Sequence, residues 1–400
     1  MKTKIVKTYS LFMLFQGLAI SFFFATSTLF LTEKGLSLLQ INLLNASYMF
    51  AYLLFEIPTG INADYFGKKR SVIIGLWIFT LSLLIYYFSE FFWQFLIAEI
   101  LGALAFTCIS GALESLVIEK LKEENYSGSL IDVFKKAEIR AVGVIIGSSL
   151  GSFAGQYSLA LPWLMGSFSF AILAVLSIIY LPKDTRDLSL KIKFSFLLFK
   201  NVAFESINYS FKNKRFLNMV IFSAILFFSI QPLNMYWPII LKEVYFIDVK
   251  YMGLIFSLIV VFIYLGSQFS AWWQKRFVCS KKAIYLSQLI TVLSIILASI
   301  LSPLYLFLFF FMFHEFGRGL FKPLSRAYVN GSIVDKNRSI VLSFESMLIK
   351  TGGAIGLIFS GLIANNYGIF NSWIVNAIIL FLAIIIFYRK NNFNLKKLNT

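Results

Sequence analysis

Glu56-Ile57-Pro58-Thr59-Gly60-Ile61-Asn62-Ala63-Asp64-Tyr65-Phe66-Gly67-Lys68-Lys69-Arg70-Ser71 is the polar stretch from which the rest of the chain can be read. Apolar runs long enough to cross a bilayer lie on both sides of it. Pro58 lacks a backbone N–H and Gly60 is a weak helix former, so the pair predicts a helix ending here. Gly67 permits a tight reversal at positive φ. Lys68, Lys69 and Arg70 then hold the chain on the side of a membrane where cations stay. Asp64 is an acid set among those bases in a very short loop.

Composition excludes most other classes. Hydrophobic residues make up 59% of the chain and charged residues 14%, against about 25% charged in an ordinary soluble domain. Mean hydropathy is +0.80. No soluble core could hide that much apolar surface, and the runs are continuous, whereas the strands of a membrane barrel alternate. The net charge of +17 does not mark a nucleic-acid binder, because the bases fall in loops at every second helix end rather than in one patch. Cys108 lies in an apolar span and Cys279 in a basic loop, so no disulfide is expected. With His314 the single histidine, neither a metal site nor a cofactor is expected. No nucleophile–base pair or P-loop is visible, so an enzyme is not expected either.

A spanning helix needs about 20 apolar residues. Twelve such runs are readable, at 10–31, 39–61, 71–89, 92–116, 137–157, 161–181, 217–241, 251–273, 282–300, 302–324, 340–363 and 370–388. Met1 to Lys7 with the run after it could mimic a signal peptide, but the run is too long for one. Lys and Arg collect on one side, including Lys2, Lys4 and Lys7, Lys68 to Arg70, the segment 183–215, and Arg389 with Lys390. The opposite loops hold only Lys34, Lys242 and Lys250. The positive-inside rule then puts both termini in the cytoplasm. The expected organisation is an all-α polytopic membrane protein with an N-terminal six-helix half at 1–182, a cytoplasmic linker at 183–215 and a C-terminal half at 216–400. Residues 194–199 in the linker could form an amphipathic helix on the membrane surface.

The halves read as weak repeats. Ile139-Arg140-Ala141-Val142-Gly143 matches Ile349-Lys350-Thr351-Gly352-Gly353 at a shift of 210, which makes Arg140 and Lys350 counterparts. Gly266 to Arg276 is a decayed copy of the opening stretch, with Ser270 where Asp64 stands. Parallel six-helix repeats are a transporter architecture, with the substrate site at their interface.

Charges inside the spans are the informative residues, since each costs roughly 2.5–3.5 kcal/mol at mid-span. Glu99 lies in such a run, about two turns from its outer end; it is either a proton carrier or a structural acid bonded to a neighbouring helix. His314, Glu315 and Arg318 form a second cluster, in which Glu315 and Arg318 share a helix face. They either neutralise each other or bind a polar substrate and relay a proton. Arg140 and Lys350 either bind an anionic group or pair with Glu138 and Glu345. Gly143, Gly147, Gly151 and Gly155 recur every fourth residue as a ridge for close helix packing. Gln16, Asn42, Asn45, Tyr48, Gln231, Asn234, Tyr236 and Gln268 are further polar groups within spans, which either line a cavity or bond helix to helix.

The spacing Gly60-x-x-x-Asp64-x-x-Gly67-Lys68-Lys69-Arg70 resembles the loop signature of the major facilitator superfamily, between its second and third membrane helices. The Ser110 to Glu119 and Phe55 to Gly60 wording is similar to bacterial drug-exporter-like members. The resemblance implies a charge network of Asp64, Lys68 and Arg70 with Glu119, framed by Gly60 and Gly67, that acts as a conformational latch steadying the outward-open state. It departs from many proton-linked members in having Ala98 and Glu99 where they carry an Arg. The reading is a secondary active transporter of the plasma membrane (the bacterial inner membrane), working by alternating access and exporting a small amphiphilic compound or drug as a proton antiporter. Its expected partners are a small-molecule substrate, protons and membrane lipid, with no nucleic acid, and it is expected to be a monomer. The alternatives are uptake of a polar or anionic metabolite and a non-transporting membrane sensor.

Overall fold

The computed structural model describes residues 4–184, 213–277, 280–330 and 338–396. The linker segment 194–199, Cys279 and Lys336 lie outside the described residues. Every regular element described is a helix. The first half holds α1 (Lys4–Ser21), α2 (Ser27–Glu33), α3 (Leu38–Phe66), α4 (Lys68–Phe88), α5 (Phe92–Glu123), α6 (Leu130–Ala137), α7 (Arg140–Gly155) and α8 (Leu161–Tyr180). The second holds α9 (Lys214–Glu243), α10 (Met252–Arg276), α11 (Ser280–Ile300), α12 (Leu304–Asn330), α13 (Arg338–Tyr367) and α14 (Ile369–Lys396), with a short 3-10 turn at Val249–Tyr251. Among the described residues, 11 stretches are long and apolar enough to cross a membrane. The twelfth expected span, 10–31, is present but broken into α1 and α2.

That break has no marker in the sequence. Between the two helices the carbonyls of Ser21 and Phe23 take three-residue donors, Phe24 N and Thr26 N, so the chain tightens and turns. Close packing accompanies it: a Cβ on Gly151 would stand 1.8 Å from the Phe22 carbonyl oxygen. The glycine ridge of α7 continues this contact. Cβ atoms on Gly143 and Gly147 would stand 2.1 and 2.3 Å from the carbonyl oxygens of Leu14 and Leu18. Three successive turns of α7 thus lie directly on the backbone of α1 and of the turn that follows it.

The second half repeats the device. Gly352 and Gly356 of α13 face the carbonyls of Ala224 and Phe228 of α9. Both halves thus seat glycines one turn apart on the backbone of their first long helix.

One correction concerns the opening stretch. Pro58 and Gly60 do not end the helix; α3 runs through both to Phe66. Pro58 removes a single ladder donor, and the Thr59 hydroxyl supplies extra bonds to the carbonyls of Phe55 and Glu56 at 2.7 and 3.3 Å. The reversal comes at Gly67, whose φ of 101° makes it the entire connection between α3 and α4. At the other end Ser37 and Gln40 form a capping box.

Contacts divide the chain into two compact units. The first holds the described residues to Asp184 together with Pro238–Ser257, and the second holds the remainder of α9 and everything from Leu258 on. Within the first unit Gly253 lies close on α7, where a Cβ would stand 2.1 Å from the Ser148 carbonyl oxygen.

Candidate functional site

The Lys-rich end of the first unit gathers part of the expected latch. Lys68 is buried, and its Nζ bonds Glu119 of α5 at 2.6 Å and stands 3.8 Å from Asp64. Arg70 is exposed and makes no ion pair among the described residues. Gly60 faces open space. Its counterpart Gly266 is instead pressed on the Phe316 carbonyl, 2.2 Å from where a Cβ would be.

Sequence reasoning missed Asp184. This carboxylate follows α8, accepts the backbone N–H groups of Lys68 and Lys69 at 2.7 and 3.3 Å, and so caps α4 from another part of the chain. Its other oxygen stands 2.5 Å from where a Cβ on Gly67 would lie. Gly67 is thus required twice, for its φ and for its missing side chain. Lys69 returns the favour by donating to the carbonyls of Ile178 and Leu181 at 2.8 and 2.6 Å, closing the end of α8. The signal available in sequence was an acid just after the sixth span, facing the bases that open the third.

Glu99 projects from α5 and is half-buried. Tyr86 of α4 donates its hydroxyl to Glu99 Oε1 at 2.5 Å. No Lys, Arg or His lies within ion-pair distance of Glu99 among the described residues. The nearby Ser82 is engaged elsewhere, donating to the Ala98 carbonyl at 2.8 Å.

The second unit is arranged differently. Glu315 and His314 of α12 are fully buried. Arg318 Nη1 bonds both Glu315 oxygens at 2.8 Å and the Asn234 Oδ1 of α9 at 2.9 Å. Asn234 in turn donates to Gln231 at 2.9 Å. His314 Nδ1 bonds the Phe311 carbonyl, and its Nε2 lies 3.4 Å from Glu315 Oε1. The sequence had placed Gln231 and Asn234 only as polar residues of a span. The fold brings them onto the Glu315–Arg318 pair, making a chain of alternating donors and acceptors.

Arg140 opens α7 at a point where Gly17 of α1 has no side chain to obstruct it. Its Nε is buried and has no hydrogen-bond partner among the described residues, and no ion pair joins it to Glu138. Tyr9 of α1, 1% exposed, faces it. Lys350 is half-buried in α13.

The sequence model of the Major Facilitator Superfamily matches residues 9–278 and 219–399. The MFS-type transporter YxaM of Bacillus subtilis (strain 168) is 23% identical over 380 residues, covering 93% of this chain and 92% of that protein. The class H tetracycline resistance protein of Pasteurella multocida is 29% identical over 155 residues, 38% of this chain and 36% of that one. The crystal structure of the nucleoside transporter NupG has the same fold, with a TM-score of 0.79 at 18% identity over 97% of this chain and 99% of that one.

Proposed function

The chain belongs to the Major Facilitator Superfamily and is a secondary transporter, and we propose that it exports a small amphiphilic compound in exchange for protons, with Glu99 as the proton carrier. The observation that carries this reading is the carboxyl of Glu99, bonded to a phenol and met by no cation among the described residues. A paired carboxylate is neutralised without a proton; an unpaired one inside the membrane is neutralised by binding one. The partial likeness to a tetracycline resistance protein supports export. The working cycle is alternating access, with the halves 1–182 and 216–400 as the moving bodies and the linker between them. Lys68, Asp64 and Glu119 serve as the latch at the cytoplasmic end, with Gly60 and Gly67 shaping it and Arg70 on its exposed rim. The setting is the bacterial inner membrane, with both termini cytoplasmic.

The test is efflux of a panel of lipophilic compounds from energised vesicles, with wild type and Glu99→Gln compared. Uncoupler-sensitive efflux that is lost in Glu99→Gln is expected. Efflux indifferent to the uncoupler would remove proton coupling altogether.

One observation favours a second reading, uptake of a polar metabolite. The buried set of Gln231, Asn234, Arg318 and Glu315 offers donors and acceptors that a lipophilic compound would not use. NupG, whose fold is shared, is a nucleoside transporter. Thermal stabilisation of the purified protein by nucleosides, sugars or organic acids, and not by lipophilic cations, would decide for it.

A further inference from the structure

Glu99 is held by Tyr86, and Tyr86 is itself held. The phenol ring lies flat on Trp163 of α8, with centroids 3.9 Å apart and planes 1° from parallel. Trp163 is stacked in turn on Phe23, at 4.4 Å and 14°. Phe95 tilts against Tyr86 at 5.3 Å. Tyr86 therefore cannot swing away from the carboxyl without unstacking, and the torsion of its O–H is the freedom it keeps.

A phenol both donates and accepts, whereas an ionised carboxylate only accepts and a protonated one carries a donor of its own. The Tyr86–Glu99 bond can therefore persist through a change of protonation, with donor and acceptor exchanged. Among the described residues Tyr48 of α3 also faces Glu99, and its ring lies against Gly102 of α5. Tyr86 supplies the partner from α4, and α8 and the Phe23 turn contribute only rings.

Building on the proton-carrier reading of Glu99, we propose that Tyr86 is the positioning residue of that site, clamped by Trp163 so that the carboxyl stays in one place whether or not it carries a proton. Loading and unloading then need no change of side-chain rotamer, and the site can exchange protons at a fixed distance from whatever faces it.

Tyr86→Phe keeps the ring stack and deletes the hydroxyl. Infrared difference spectra of reconstituted protein, taken between acid and alkaline pH without substrate, read the carboxyl directly. Wild type is expected to show a protonated-carboxyl C=O band that is absent in Glu99→Gln. In Tyr86→Phe that band is expected to move to higher wavenumber, as for a carboxyl that has lost a hydrogen bond, and the midpoint of its pH dependence to shift. Trp163→Leu is expected to broaden the band, since the phenol is no longer fixed. A Glu99 band present but unmoved in Tyr86→Phe overturns the role of Tyr86 and leaves the proton carrier standing. A wild-type spectrum with no Glu99-dependent band removes the carrier and the proposal with it. A merely structural Tyr86 would change thermal stability and leave the band where it was.

Discussion

Glu99 and Glu315 sit on comparable spans and live in opposite company. Glu315 has its countercharge three residues along its own helix, and amides from α9 complete the hydrogen bonding. Glu99 is bonded to the phenol of Tyr86 and faces that of Tyr48, with no cation in reach among the described residues. The first acid has its countercharge in place and keeps it through any motion that leaves Arg318 beside it. The second is unfinished, and its cheapest route to neutrality is a proton. The contrast teaches that a carboxyl in a span is informative only together with what surrounds it. Identical residue types, placed in like stretches of sequence, are met by a phenol in one half and by a guanidinium and amides in the other.

The comparison breaks first at transport. Glu99→Gln is expected to bring gradient-driven flux down to the level of empty vesicles. Glu315→Gln should keep at least about a tenth of it, a loss of no more than ~1.4 kcal/mol in the barrier. Equal losses in the two variants, measured as initial flux under an imposed proton gradient, would erase the distinction. The next effect is on stability. Arg318→Met strands a buried carboxylate and should cost about 3–5 kcal/mol. Adding Glu315→Gln should recover most of that, and thermal unfolding in detergent of the single and double variants measures the coupling. A smaller loss, about 1.5 kcal/mol, is expected for Asn234→Ala, which removes one acceptor from a charged donor; the same melts report it. The smallest belongs to Asp184→Ala, far from either acid in the sequence, at about 1 kcal/mol for a lost helix cap. Asp184→Asn should retain much of the cap. A melt that treats both substitutions as silent would mean that α4 starts well without it.

The spans were legible because length and continuous apolarity are read directly, and the bilayer enforces both. The glycine ridge was legible for a similar reason: its every-fourth spacing is itself a helix face. What was illegible depended on partners. Residues 22–26 contain no proline, glycine or charge, so nothing local announces the turn between α1 and α2. Pro58 announced an ending that α3 ignores, since losing one ladder bond does not outweigh the packing of a long helix. Glu99 stood out as a lone acid, yet Tyr86 is one aromatic among many, and only the fold selects it. Asp184 looked like the beginning of a linker and proved to be the cap of α4.

The seam between α1 and α7 has a consequence for motion. Three glycines one turn apart meet three carbonyls one turn apart, like the teeth of two meshed racks. A slip of a single residue would rotate a side chain into a carbonyl at every tooth, and the next matching position lies a full turn away, about 5.4 Å. Small sliding is thereby forbidden and the two helices tilt as one rod. Arg140, rooted where Gly17 admits α7, travels with Tyr9 whenever that rod moves. The guanidinium of α7 and the phenol of α1 should reach either end of a transport stroke still facing each other.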